Sequence, residues 1–537
     1  MPPTLLPIQD VARKLEIPEQ YFEQIGSYSG KVRLELLGDA NLHRRGKLIL
    51  VTATTPTASG EGKTVTAISL TQGLALLGKK VVITSREPSL GPVFGMKGGA
   101  AGGGLSQIEP SGRINLHFTG DFHAISSAHN LLAALIDAHL FHGNDLSLDP
   151  ERIAWPRAMD MNDRALRRIA VSLDSKKDGG GRQTGFVITA ASEIMAIVAL
   201  AKDRKDLRKR LESIVIGVTR DGRSVTAKDL GATGGMMALL TDAILPNLVQ
   251  TTDGTPAFVH AGPFGNIAHG TSSVICQEMG LRLADYVVNE AGFASDLGGE
   301  KYFDIVMRQS GITPSVAVLV STVQSMRNQG EGDFERGLPN LGRHIEILQG
   351  FGVPVVAAIN QFPADTDADL KRLAAYCAER GVTSALSQGF AKGGVGAKEL
   401  AQAVVKAIDG NPSPARRPVY SLDEPFVEKV EKVARKVYGA DGASFSDQAK
   451  AKLDQFTAWG YGKLPICIAK TQYSLTDDAK RLGAPTGWIL NVTNAALSAG
   501  AGFVVVISGN MMLMPGLPKV SRAVSIDVDD SGQIIGV

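Results

Sequence analysis

The chain has 537 residues, of which 44% are hydrophobic and 20% charged, and its formal net charge is +2. One hydrophobic core does not organise a chain of this length, so we expect about two to four packed units. The balanced charge argues against a general binder of nucleic acid or of anionic membranes, because such surfaces need an excess of basic side chains.

The start of the chain and its cysteines indicate a cytoplasmic protein. Residues 1–10 lack the basic start and apolar centre of a secretory signal. A run of about 18 uncharged apolar residues, the mark of a membrane span, is also missing. Cys276, Cys377 and Cys467 are far apart and odd in number, which predicts neither a disulfide framework nor a metal site.

Apolar runs of strand length alternate with helical patterns along most of the chain. The helices predicted at about 64–77 and 367–380 stop at Gly78 and Gly381, which suit left-handed caps. Near-continuous Val, Ile and Leu runs are typical of strands buried on both faces, hence of parallel sheet. This alternation predicts a doubly wound α/β fold. The strand-length runs are residues 47–54, 80–84, 186–189, 315–320 and 353–360.

Two stretches look like domain boundaries. Residues 329–342 are polar, glycine-rich and without periodicity, and residues 411–418 form a proline-rich connector. We therefore predict a large P-loop-type domain with a mainly parallel sheet, followed by two smaller α/β domains. The predicted ranges are 1–340, 341–440 and 441–537.

A phosphate-binding loop follows the first predicted strand. Residues 55–64 read TPTASGEGKT and lie between that strand and a helix, where backbone N–H groups and the helix N-terminus can surround phosphate oxygens. Lys63 can reach the β- and γ-phosphates and Thr64 can meet Mg²⁺. Thr57 occupies the position at which the usual phosphate-loop pattern has its first glycine. The predicted ATP-binding residues are Thr57, Gly60, Glu61, Gly62, Lys63 and Thr64.

Further polar and glycine-rich segments follow the next strands. Arg86 and Glu87 come directly after the second strand, where open α/β sheets bind ligands. Residues 95–104 are so rich in glycine that we expect a close approach to a ligand or another backbone, with a flexible loop as the alternative. Residues 114–123 read as a strand ending in a polar turn, with Asp121 and His123 at the same sheet edge.

Other chemistries are disfavoured. Five histidines occur between residues 117 and 142, but no pair has helical i, i+4 spacing with an intervening glutamate, so ordinary histidines are favoured over a metal site. We expect His117 on a strand and the other four along the next helix. The chain also lacks a serine-hydrolase elbow and a dinucleotide-binding glycine motif.

These motifs together resemble those of formate–tetrahydrofolate ligases, in order and over nearly the whole chain. The N-terminal matches are GEGKT (60–64), REPSLGP (86–92), GGAAGGG (98–104) and NLHFTGDFHAI (115–125). The later matches are MNDRAL (161–166), GPF (262–264), NIAHG (266–270), EAGF (290–293), AKTQYS (469–474), LSAGAG (497–502) and MPGLPK (514–519).

The resemblance implies a two-step reaction. ATP phosphorylates formate, and the N10 amine of tetrahydrofolate then displaces phosphate from formyl phosphate. It assigns catalytic roles to Lys63, Arg86 and Asp121, with Arg86 on formate and formyl phosphate, and Mg²⁺ bound with ATP beside Thr64. Glu87 would lie near a monovalent cation, K⁺ or NH₄⁺. The implied folate-binding residues are Phe293, Phe362, Pro363, Phe390 and Asp121. A cytoplasmic homotetramer in one-carbon metabolism, without nucleic-acid or membrane partners, is also implied.

Several positions depart from the family pattern. Phe390 stands where tryptophan is common, Gln324 for arginine, Gln329 for histidine, Glu331 for glycine and Ala294 for glycine. These changes bear on folate affinity and domain contacts more than on use of ATP. Two alternatives stay open, a P-loop ATPase acting as a nucleotide switch and a related ligase for another small carboxylate.

Overall fold

The computed structural model describes residues 5–57, 60–96, 99, 101–173, 181–412, 415–509, 511–532 and 534–536. The strands up to residue 188 are β1 (Phe22–Ile25), β2 (Ser29–Val32), β3 (Lys47–Ala53), β4 (Val81–Ser85), β5 (Gly102–Gly103), β6 (Ser106–Glu109), β7 (Leu148–Ile153), β8 (Arg157–Met159), β9 (Ile169–Val171), β10 (Arg182–Thr184) and β11 (Phe186–Ile188). The later strands are β12 (Val215–Thr219), β13 (Ser224–Thr226), β14 (Asn247–Thr251), β15 (Pro256–Val259), β16 (Tyr286–Glu290), β17 (Pro314–Ser321), β18 (Val355–Asn360), β19 (Thr383–Ser387), β20 (Gly442–Phe445), β21 (Ile466–Ala469), β22 (Ile489–Ser498), β23 (Phe503–Ser508), β24 (Asp527–Val528) and β25 (Ile534–Ile535).

The α-helices alternate with these strands through most of the chain. They are α1 (Ile8–Lys14), α2 (Lys63–Leu76), α3 (Leu90–Phe94), α4 (Ser111–Ile114), α5 (Asp121–Phe141), α6 (Glu193–Leu200), α7 (Arg204–Glu212), α8 (Thr233–Leu239), α9 (Val274–Leu283), α10 (Met307–Ser310), α11 (Val323–Gln329), α12 (Phe334–Gly350), α13 (Asp367–Glu379), α14 (Gly389–Lys392), α15 (Lys398–Asp409), α16 (Phe426–Val433) and α17 (Asp447–Phe456). Among the described residues, none of these helices combines the length and apolar character that crossing a bilayer requires.

A large, mainly parallel sheet organises the molecule. Its order is β1-β2-β14-β15-β4-β16-β3-β17-β18-β19, with β6 attached to β14. All pairs from β15 to β19 are parallel, and the pairs between β1 and β15 are antiparallel. The predicted α/β class and mainly parallel sheet are therefore confirmed.

Both faces of this sheet are buried, as the apolar runs predict. On β3, Leu48 and Leu50 pack into one hydrophobic cluster, while Ile49 and Val51 pack into the other. Successive side chains on a strand point to opposite faces, so helices must cover each side. The helix after β3 ends at Leu76, and Gly78 takes the predicted left-handed conformation with φ +72°.

Smaller sheets lie outside the large one. Strands β20-β22-β23-β21 form a four-stranded sheet near the C-terminus, and β13-β12-β7 form a three-stranded one. The run predicted at 186–189 is the short strand β11, which pairs with β8 instead of joining the large sheet. Strands β18 and β19 extend the large sheet beyond residue 340. The domain boundaries at 340 and 440 stay predictions.

Two local predictions are wrong. Residues 114–123 contain no strand: α4 ends at Ile114, turns follow, and α5 begins at Asp121 after Gly120, whose φ is +90°. His117 therefore lies in a turn. Residues 329–342 are mostly helical instead of irregular, because Asp333 caps the N-terminus of α12 by accepting from Arg336 N at 3.2 Å.

Candidate active site

The carboxyl ends of neighbouring parallel strands bring the predicted site residues to one edge of the large sheet. Strand β16 lies between β3 and β4, with Glu290 opposite Val51 and Asn289 opposite Thr84. The segments that follow these three strands therefore leave the sheet side by side. Open α/β sheets bind ligands at this edge.

The segment after β3, predicted to bind phosphate, contains two glycines in the left-handed region just before α2. Gly60 and Gly62 have φ of +79° and +68°, and α2 begins at Lys63. A side chain on Gly62 would place Cβ 2.3 Å from Asn360 Nδ2, so strand β18 fixes this glycine. Ala58 and Ser59 of the predicted loop lie outside the described residues, as do Lys97, Gly98 and Ala100 of the second glycine-rich stretch.

Glu61 braces this loop from within. Its carboxylate accepts from Thr57 N at 2.8 Å and from the Thr322 hydroxyl, and its carbonyl accepts from Asn360 Nδ2 at 3.0 Å. Burial raises the pKa of Glu61, although these hydrogen bonds oppose the shift. The predicted ATP-binding residues Thr57 and Glu61 thus shape the loop through contacts with each other.

Glu290, at the end of β16, joins the predicted phosphate-binding and formate-binding groups. Its carboxylate pairs with Lys63, accepts from Thr64 Oγ1 at 2.6 Å and lies 3.4 Å from Arg86 Nη2. Burial alone would raise the pKa of Glu290, but the charges of Lys63 and Arg86 outweigh it and hold that pKa at about 2. Three cationic or hydroxyl groups that can bind anions therefore meet at one point.

Arg86 stands at the end of β4, as predicted. Its Nη1 donates to Pro263 O at 3.1 Å, and a Cβ on Gly292 would lie 3.1 Å from the same nitrogen. Gly292 N in turn donates to Gly270 O at 2.7 Å. The guanidinium is therefore held between the segment 262–270 and the segment after β16.

Glu87 and Asp121 are both buried, and their carboxylates influence each other. Asp121 receives Lys31 Nζ at 2.9 and 3.1 Å and Asn247 Nδ2 at 2.8 Å. Burial, followed by the charge of Asp121, raises the pKa of Glu87 well above its usual range. Glu87 Oε2 is buried and has no hydrogen-bond partner within the described part of the chain.

The predicted folate residues Phe362 and Phe390 follow the adjacent strands β18 and β19. Phe390 is 63% exposed, and a Cβ on Gly103 would lie 3.1 Å from its Cε2. Phe362 and Pro363 are partly buried and exposed, respectively, at the same sheet edge. Phe293 follows Glu290 with φ +59°. The sheet thus brings all three aromatic residues to the edge that carries the predicted phosphate-binding segment.

Sequence reasoning did not select Glu290, Lys31, Asn360 or His344. His344 Nε2 accepts from Thr55 N at 3.0 Å, and Ser295 Oγ lies 2.7 Å from its other ring nitrogen. Glu290 carried a signal, since it opens the family match EAGF at residues 290–293, two positions after a short apolar run that ends at Val288. The other three act through contacts between segments far apart in the chain.

Two of the departures from the family pattern are buried. Gln329 Oε1 accepts from Gly483 N at 2.9 Å, which ties helix α11 to a C-terminal segment, and Ala294 is fully buried. Gln324 is exposed. Within the described ranges, no group of three or more His, Cys, Asp or Glu side chains is arranged to hold a metal ion.

Comparison with known proteins agrees with the motifs. The family model described as formate–tetrahydrofolate ligase matches residues 2–537. The formate–tetrahydrofolate ligase of Pseudothermotoga lettingae is 49% identical over 544 aligned residues, covering 99% of this chain and 98% of the relative. The predicted family is confirmed. The chain is therefore a ligase that belongs to the formate–tetrahydrofolate ligase family.

Proposed function

We propose that this protein uses ATP to join formate to N10 of tetrahydrofolate through formyl phosphate. The observation that carries the proposal is the meeting of Lys63, Thr64 and Arg86 on the Glu290 carboxylate. Lys63 and Thr64, which suit a triphosphate, and Arg86, which suits a small carboxylate, all contact the side chain of Glu290. Such proximity is what transfer between two bound anions requires.

ATP binds with its phosphates on the segment 60–64. Backbone N–H groups at the start of α2 and the Lys63 ammonium neutralise the β- and γ-phosphates. Thr64 Oγ1 and Glu290 Oε2, 2.6 Å apart, are a hydroxyl and a carboxylate oxygen of the kind that Mg²⁺ prefers, so these two residues fit the metal. When bound, Mg²⁺ supplies charge neutralisation to the phosphates.

Formate reacts first. One formate oxygen attacks the γ-phosphorus, the bond from that phosphorus to the bridging oxygen breaks, and ADP leaves with the bonding electrons. Arg86 holds the carboxylate and then formyl phosphate, because a guanidinium matches both anions by paired hydrogen bonds. Formate itself is a poor acyl donor, and phosphorylation replaces an oxide leaving group with phosphate.

Tetrahydrofolate reacts second. N10 attacks the formyl carbon, the carbon–oxygen bond to phosphate breaks, and the amine loses a proton. Phe362 and Phe390 offer flat apolar faces for the pterin, and Phe293 lies at the same edge. Asp121, whose buried carboxylate lies 2.9 Å from Lys31 Nζ, faces the folate site.

Glu87 is the residue that fits a monovalent cation. Its buried Oε2 has no hydrogen-bond partner among the residues described, and a cation would satisfy it. K⁺ or NH₄⁺ would supply positive charge beside Arg86. We further propose that the protein is cytoplasmic and forms a homotetramer; the molar mass from light scattering of the purified protein tests the tetramer.

Product formation by the purified protein tests the proposal. ADP and 10-formyltetrahydrofolate are measured with ATP and Mg²⁺ in potassium buffer, omitting formate or tetrahydrofolate in turn. We expect product only with both substrates, and loss of at least about a thousandfold in kcat for Lys63→Ala, which removes a charge from the phosphates. ATP binding that is indifferent to both substrates would support a nucleotide switch instead. Product with acetate replacing formate would support a different carboxylate.

A further inference from the structure

His269 lies in the segment that encloses Arg86, yet the reaction described so far does not use it. The residue is fully buried, and neither ring nitrogen has a hydrogen-bond partner within the described ranges. Buried polar atoms are hydrogen-bonded in the great majority of cases, so an imidazole with two unmatched nitrogens calls for an explanation. One explanation is that a ligand binds to these nitrogens, and the surrounding residues indicate which kind of ligand it is.

The backbone contacts place His269 in the wall around the guanidinium. Gly270, the next residue, accepts from Gly292 N at 2.7 Å. A Cβ on Gly292 would lie 3.0 Å from Gly265 Cα and 3.1 Å from Arg86 Nη1. The two segments therefore touch through glycine backbone beside the Arg86 guanidinium.

Charge around His269 favours an anion. Burial lowers the pKa of His269 to about 3, and among charged groups Arg86 contributes most, followed by Arg210 and Lys301. Imidazole is thus neutral at any assay pH, with one N–H donor and one acceptor nitrogen. A neutral N–H donor close to the Arg86 guanidinium suits a small carboxylate, which accepts hydrogen bonds from both groups.

We propose that His269 positions formate by donating one ring N–H to a carboxylate oxygen while Arg86 holds the anion. This proposal rests on the proposed function and adds a substrate-positioning residue to it. Two donors on different segments orient formate for attack by the other oxygen.

The test compares His269→Leu and His269→Gln with the wild-type protein. Leucine removes the donor, whereas glutamine keeps an amide N–H of similar reach. We expect the KM for formate to rise roughly ten- to a hundredfold in His269→Leu and less in His269→Gln. The KM values for ATP and tetrahydrofolate stay within about twofold, because neither substrate contacts the ring.

His260 provides the matched control. It is also fully buried and its pKa is lowered by burial to about 4, but its nitrogens are satisfied by Ser273 Oγ at 2.6 Å and Ala243 O at 2.8 Å. His260→Gln is expected to lower the melting temperature and to leave the KM for formate unchanged. The comparison separates loss of a buried imidazole from loss of a substrate contact.

The possible results distinguish failure of the His269 proposal from failure of the proposed function. An unchanged KM for formate in the His269 variants overturns the proposal, and so does a parallel rise in all three KM values with a fall in melting temperature. If His269→Leu does not fold, His269→Asn takes its place beside His269→Gln and the same criteria apply. A wild-type protein that forms no 10-formyltetrahydrofolate would instead refute the proposed function.

Discussion

Glu290→Gln tests whether the carboxylate stabilises the folded protein by facing the cations Lys63 and Arg86. Glutamine keeps the size of the side chain and an acceptor for Thr64, but it removes the charge that faces Lys63 and Arg86. A fall in pKa from the ordinary 4.5 to about 2 means that folding favours the charged carboxylate. At about 1.4 kcal/mol for each tenfold change in proton affinity, the loss is about 3 kcal/mol.

The pH dependence of this loss has a defined direction. Because the folded pKa is lower than the unfolded one, the stabilisation is complete above about pH 4.5 and disappears as the pH falls towards 2. The free energy of unfolding of Glu290→Gln should therefore be about 3 kcal/mol below wild type at pH 7, with the difference shrinking below pH 4. Urea unfolding followed by circular dichroism at pH 7 and at pH 3 measures this difference in the free energy of unfolding.

A second carboxylate serves as the control. Glu278 pairs with Arg44 and with Arg282 at 3.1 Å near the surface, so Glu278→Gln should cost less than about 1 kcal/mol. Equal midpoints for Glu290→Gln and wild type at pH 7 would refute this reasoning, as would a loss that is the same at pH 3.

Three further substitutions follow from named contacts. Phe390→Trp enlarges an exposed ring at the predicted folate site and should lower the KM for tetrahydrofolate about two- to fivefold; a rise would contradict stacking there. Gly62→Ala brings Cβ within 2.3 Å of Asn360 Nδ2 at a φ of +68° and should weaken ATP binding at least about tenfold by calorimetry. Lys31→Met leaves Asp121 buried and unpaired and should lower the free energy of unfolding by about 3–5 kcal/mol, measured in urea; an unchanged midpoint would show the pair to be unimportant.

Local patterns predicted the strand and the helix on either side of the proposed phosphate-binding loop. The apolar run at 47–54 is strand β3, and the helix expected at about 64–77 is α2. Both predictions rest on an apolar run and on glycine positions, which can be read from residues close together in the sequence. The left-handed Gly60 and Gly62 confirm that these glycines turn the backbone before the helix.

Local sequence patterns did not predict the contacts between residues that are far apart in the chain. Glu290 and Lys63 are 227 positions apart, and only the parallel pairing of β16 with β3 brings them together. The strand expected at 114–123 fails for a similar reason. Its alternating residues suggest a strand, but Gly120 reverses the backbone and Lys31 from another segment pairs with Asp121 at the start of α5.

The strand order of the large sheet constrains how the protein acquires its activity during folding. Val51 of β3 pairs with Glu290, and Ala53 pairs with Val320, so each contact closes a loop of well over two hundred residues. Contacts of such long range make folding slow, because chain entropy is lost before the pairing stabilises anything. The contact of Lys63 with Glu290 cannot form in a nascent chain until β16 has emerged and paired with β3. The proposed ATP site is therefore completed late in folding, and nucleotide bound there would stabilise the finished sheet by mass action.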